Sequence, residues 1–66
     1  MNCVLSHEIY TTSAIDAGIA AFAHLLTATV EHQDRDTTIT IIAATDDVVA
    51  ELLNYVLGLS AQELLP

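Results

Sequence analysis

Two β-branched runs, Thr27–Gln33 (TATVEHQ) and Thr37–Ala43 (TTITIIA), flank the polar triplet Asp34-Arg35-Asp36. Such runs around a short polar break read as a β-hairpin. On either side the hydrophobic period is helical, so the chain must build a mixed fold around a central hairpin. Before it, Thr11, Thr12 and Ser13 offer three successive N-caps. From Ala14 the apolar residues fall at helical spacing: Ile15, Ile19, Phe22 and Leu26, flanked by Ala14, Ala21 and Leu25. After it, Thr45 is an N-cap, and Asp46 and Asp47 in the first turn suit the positive end of the helix dipole. Val48 or Val49, Leu52, Tyr55, Val56 and Leu59 form the apolar side of this last helix. Met1–Leu5 (MNCVL) is a short β-prone segment, joined to the first helix by Ser6–Tyr10.

The order βαββα suits a split β-α-β unit with a right-handed first crossover. The hairpin's second strand is the most apolar and is placed centrally. The predicted fold is α+β, one domain over residues 1–66. It has a three-stranded sheet of order 1-3-2 with two helices on one face, a ferredoxin-like sandwich lacking its last strand. Ala28, Val30 and His32 face the core from one hairpin strand. In the other, Ile39 and Ile41 share one face and Thr38, Thr40 and Ile42 the other. Both outer strands are then edges open to pairing. Gly18 costs about 1 kcal/mol against Ala in a helix interior; it marks either a close approach of the helix to the sheet or a tolerated surface position. Gly58 either ends the last helix or is passed through, and Ser60-x-x-Glu63 matches a capping box that would restart a short turn before Pro66.

Size and charge narrow the function. A domain of roughly 60 residues buries only about 60% of its unfolded surface, yet 53% of this chain is hydrophobic. The apolar excess predicts self-association or a partner, a homo- or hetero-oligomer. Against nine acids stands one basic residue, Arg35. Nucleic acid is excluded as a partner for want of a basic footprint. A membrane-surface helix would carry Lys or Arg, and the apolar stretches Ala17–Val30 and Val48–Leu59 are interrupted by polar residues too often to span a bilayer. A protein partner with a basic or apolar surface remains. Cys3 is alone, so no internal disulfide forms, and with no secretory pattern the expected location is cytoplasmic.

No catalytic constellation stands out. His7-Glu8 lies in the first connector, His24 near the end of the first helix and His32 in the first hairpin strand. None has a ligand-type neighbour at helical spacing, so no metal site, cofactor or catalytic residue is expected. Ser6-His7-Glu8 lacks a nucleophile-elbow context, and Asp34 and Asp36 read as a solvated turn. Partner binding is expected on the last helix. Tyr55 is of a type favoured at interfaces, and Leu53 and Leu57 occupy a strip the sheet need not cover. The edge strands are the rival interface.

One resemblance sharpens this. Ile9-Tyr10 leads to a Thr cap and Ala14-Ile15-x-x-Gly18; a hairpin follows, and then Leu52-Leu53-Asn54-Tyr55-Val56-Leu57. Over roughly Val4 to Leu57 the chain resembles HxsD, the small protein of His-Xaa-Ser peptide maturation systems. That family has an Asp between the Asn and Tyr, absent here. The resemblance implies a bacterial cluster in which radical SAM proteins modify a ribosomally made peptide. The implied role is accessory and non-enzymatic, binding the precursor peptide or the modifying enzyme. Two other roles stand beside it: a small subunit completing a modifying enzyme by supplying His24 or His32, with or without a metal, and a self-assembling structural domain.

Overall fold

The computed structural model describes residues 1–64, in the order β1 (Asn2–Ser6), α1 (Thr12–Ala21), β2 (Thr27–His32), β3 (Asp36–Ala43) and α2 (Asp46–Leu64). The strands form one antiparallel sheet of order β1-β3-β2, as the strand pattern predicts. β3 pairs Ile39 with both Cys3 and Val30, and Thr37 with both Leu5 and His32. Met1 and Ile41 exchange backbone bonds of 2.7 and 2.9 Å, which carries the β1 ladder one residue further. Between β2 and β3 the register jumps from Thr27–Ala43 to Ala28–Ile41, leaving Ile42 as the extra residue of a bulge.

The core lies between the sheet and the two helices. Leu5, Ile39 and Ile41 meet Ala14 and Ile15 of α1, Leu26, and Val49, Leu52 and Val56 of α2. Fully burying one such aliphatic side chain contributes about 1.5–3 kcal/mol. Alternation along β3 places Thr37, Ile39 and Ile41 under the helices and turns Thr38, Thr40 and Ile42 outward.

Three local expectations are corrected. The first concerns α1, which ends at Ala21 rather than running on to Leu26. Phe22 caps it, Leu25 and Leu26 donate back to the Phe22 carbonyl, and His24 stands exposed in this turn. Leu26 remains in the core because the turn folds it under, not because a helix presents it.

The second concerns Gly18, which marks a close approach, but to α2 and not to the sheet. A Cβ there would lie 2.5 Å from Val56 Cγ2 and 3.3 Å from Leu52 Cδ1. The missing side chain lets the two helices touch.

The third concerns the end of α2. The helix passes through Gly58, where an added Cβ would meet nothing, and continues to Leu64. Ser60 and Glu63 do not restart a turn; they serve the other helix. Thr11 caps α1 by accepting from the Ala14 N–H at 3.2 Å. Its own N–H donates to the buried Ser60 hydroxyl at 3.0 Å. The Thr11 and Ser13 hydroxyls both donate to the Glu63 carboxylate. An anion at a helix N-terminus also faces the positive end of its dipole. These bonds from Ser13 and Thr11 hold the Glu63 carboxyl below its ordinary pKa.

Candidate functional site

At one end of the covered sheet face four polar side chains from four segments join in a line. His7 follows β1, Thr37 opens β3, His32 closes β2 and Asp16 rides on α1. Strand alternation brings the first three together: His7 continues the Cys3–Leu5 side, and His32 continues the Ala28–Val30 side, directly across from Thr37. His7 Nε2 and His32 Nδ1 each lie 2.7 Å from the Thr37 hydroxyl oxygen. His32 Nε2 lies 2.8 Å from an Asp16 carboxylate oxygen. The two rings are 6.4 Å apart.

Thr37 is fully buried, and a buried hydroxyl must find partners. The two imidazoles supply them and link the β1–α1 connection to the hairpin. An aspartate–histidine–hydroxyl line is also the outline of an activated nucleophile. Here the hydroxyl has no exposed surface, so no substrate reaches it. Among the described residues no three His, Cys, Asp or Glu side chains gather as a metal shell. The cluster is a line, with Thr37 rather than an ion at its centre.

Beside His7 lies an open cleft of about 570 Å³, lined by Val4, Ser6, His7 and Glu8 on one side and by Asp34, Arg35 and Asp36 on the other. The His7 N–H donates to the Arg35 carbonyl at 2.9 Å and holds the two walls together. The cleft lies at the end of β1, against the hairpin turn. Because Met1 and Ile41 form a mutually bonded pair, Cys3 and Leu5 also turn their backbone groups toward β3. Asn2 and Val4 therefore direct their N–H and C=O groups outward. Val4 is 63% exposed, and β1 carries neither a charge nor a proline to discourage pairing.

The residues expected to bind a partner are separated. Leu57 is 43% exposed on α2, and Leu53, one turn before it, is partly buried against the core. Tyr55 lies about 200° around the helix from Leu57, on the flank that meets α1. There it packs edge-to-face on Phe22, with ring centroids 5.7 Å apart, and remains 42% exposed. Leu53 and Leu57 share one flank of α2, and Tyr55 belongs to the other.

The four-residue line was not visible in spacing. Its members sit at positions 7, 16, 32 and 37, with no local motif. The available signals were a histidine at the core-facing parity of β2 and a threonine at the core-facing parity of β3. Two polar residues expected on a covered face, in registers that meet, predict each other's company.

No described helix is long and apolar enough to cross a membrane. Comparison with protein-family models, characterised proteins and solved structures finds no match to this chain.

Proposed function

We propose that this protein is a non-enzymatic accessory protein of peptide maturation, which receives an extended precursor segment as a fourth strand on the outer edge of β1. The observation that carries this reading is the free edge: outward N–H and C=O groups at Asn2 and Val4, uncharged side chains, and a cleft at the strand's end. Strand addition takes affinity from main-chain bonds and selectivity from neighbouring pockets. In a ferredoxin-like sandwich the last strand would lie beside β1, so the added segment completes the sheet. The formal net charge of −8 favours a basic segment and speeds its encounter. The likeness to the His-Xaa-Ser accessory proteins supports the peptide maturation context, and a radical SAM enzyme is the modifying partner it implies.

Val4→Pro is the direct test. Proline there removes an outward donor and leaves the β1–β3 bonds in place. Binding of a His-Xaa-Ser-type precursor peptide, measured by calorimetry, should be lost while the circular dichroism is retained. Persistence in Val4→Pro with loss in Leu57→Asp would move the interface to α2. Absence of binding to both the peptide and a radical SAM enzyme of such a system would overturn the reading.

A further inference from the structure

The line from His7 to Asp16 has a proton count that admits few arrangements. Thr37 Oγ1 carries one hydrogen and stands 2.7 Å from two ring nitrogens. Among the described residues it has no other side-chain partner. It therefore donates to one imidazole and accepts from the other. Asp16 accepts only, so His32 Nε2 carries a hydrogen. When His32 is neutral, its Nδ1 is a lone pair. The Thr37 hydroxyl then donates to His32, and His7 Nε2–H donates to Thr37. His7 Nδ1 is left as a bare acceptor. It has no partner among the described residues, and no buried side-chain nitrogen goes unpartnered there, so it meets solvent.

We propose that this line is a proton relay, which converts His7 Nδ1 from acceptor to donor on uptake of one proton and stores the charge on His32 beside Asp16. The proton adds to His7 Nδ1. His7 Nε2 passes its hydrogen to Thr37 Oγ1, and the Thr37 hydroxyl hydrogen passes to His32 Nδ1. The products are a neutral His7 with its hydrogen on Nδ1, an intact hydroxyl now donating to His7, and a His32 imidazolium paired with the Asp16 carboxylate. One proton enters, none is lost, and every hydrogen bond of the line is kept: the two at Thr37 reverse direction, while His32 Nε2–H still donates to Asp16. A second proton would make both rings donors to one oxygen and strand the buried hydroxyl hydrogen, so the intact line has room for one added proton only.

The charges around the pair favour this placement. Asp16 of α1 lies 2.8 Å from His32 Nε2, whereas among the described residues no carboxylate stands within ion-pair distance of His7. Around His7 the cleft places Glu8 from the β1–α1 connection and Asp34, Arg35 and Asp36 from the hairpin. Glu63, from α2, is held by Thr11 and Ser13. His7, which also lines the cleft, thus turns from acceptor to donor at Nδ1 without itself becoming the cation. The relay does not depend on the peptide-binding reading. It is built entirely from side chains of this chain.

Nitrogen-15 NMR of the histidine rings, followed between about pH 8 and pH 5 where imidazoles titrate, tests it on the intact protein. At high pH both rings should be Nε2–H tautomers. On proton uptake His32 should become the imidazolium and His7 a neutral Nδ1–H tautomer. Thr37→Val should abolish the neutral Nδ1–H stage, so that His7 goes directly to imidazolium, and Thr37→Ser should restore it. Asp16 is exposed, so Asp16→Asn should fold normally and shift the cation from His32 to His7. If wild-type His7 passes from Nε2–H straight to imidazolium, there is no relay. An Asp16→Asn protein with the wild-type tautomer sequence would likewise overturn it.

Discussion

Along β3, Thr37, Ile39 and Ile41 lie under the helices, the first two with no exposed surface, while Ile42 on the opposite face is 69% exposed. The two sets, Thr-Ile-Ile and Thr-Thr-Ile, are nearly the same in composition. Their difference is what covers them. On the covered face each apolar group has neighbours, and the one polar group, Thr37, is held by two histidines. On the open face Thr38 and Thr40 are half-buried, and Ile42 sits at a bulge. A β-branched residue is equally at home on either side of a pleated strand. Burial is conferred by the helices, and it turns a threonine from a solvated side chain into the centre of a network.

The widest expected gap between the faces is aliphatic. Ile39→Ala should cost about 2–5 kcal/mol, whereas Ile42→Ala should stay within about 0.5 kcal/mol, both read from urea unfolding midpoints at unchanged slope. Equal costs would mean that something covers the open face in solution, such as a second copy of the chain.

The helix layer repeats the contrast in its two glycines. Gly18→Ala forces a methyl against Val56 and Leu52. Overpacking of about 1–3 kcal/mol should outweigh the roughly 1 kcal/mol gained in helix propensity. Gly58→Ala meets open space and should stabilise by about 0.5–1 kcal/mol. Thermal unfolding of the two single variants should move in opposite directions.

The smallest effect is electrostatic and confined to acid. The hydroxyls of Ser13 and Thr11 hold the Glu63 carboxyl below its ordinary value of 4.5. The folded state therefore binds this proton less readily than the unfolded chain. Its contribution is present above pH 4.5 and is lost as the pH falls through the lowered value. Glu63→Gln should unfold slightly more easily at neutral pH and show a shallower loss of stability below pH 4.5. Acid titration curves that coincide with wild type would place these hydroxyl bonds outside the folding balance.

The switch from helical to alternating periodicity and back was legible directly. It yields βαββα, the central place of Thr37–Ala43 and the 1-3-2 sheet, because a side chain's face follows from local geometry alone. Candidate caps were legible as well: Thr11 is one of three neighbouring residues that could have served, and it is the one used. Within α2, Leu52 and Val56 were read correctly as core.

What local pattern could not decide is which element a residue would meet. From its place in a helix Gly18 reads equally as a close approach to the sheet or a tolerated surface position, and only the crossing of α1 on α2 makes Val56 its neighbour. Ser60-x-x-Glu63 has the spacing of a capping box, yet tertiary packing brings the N-terminus of α1 to it, and Ser60 satisfies a part-buried backbone donor 49 residues away. His7, Asp16, His32 and Thr37 have no shared spacing at all. Strand alternation placed His32 on the core side of its strand; the antiparallel register of β2 and β3, and the placement of α1 above them, brought the four within hydrogen-bonding reach. Periodicity is a property of neighbours along the chain. The partners of a buried polar group are set by which segments the hydrophobic core draws together.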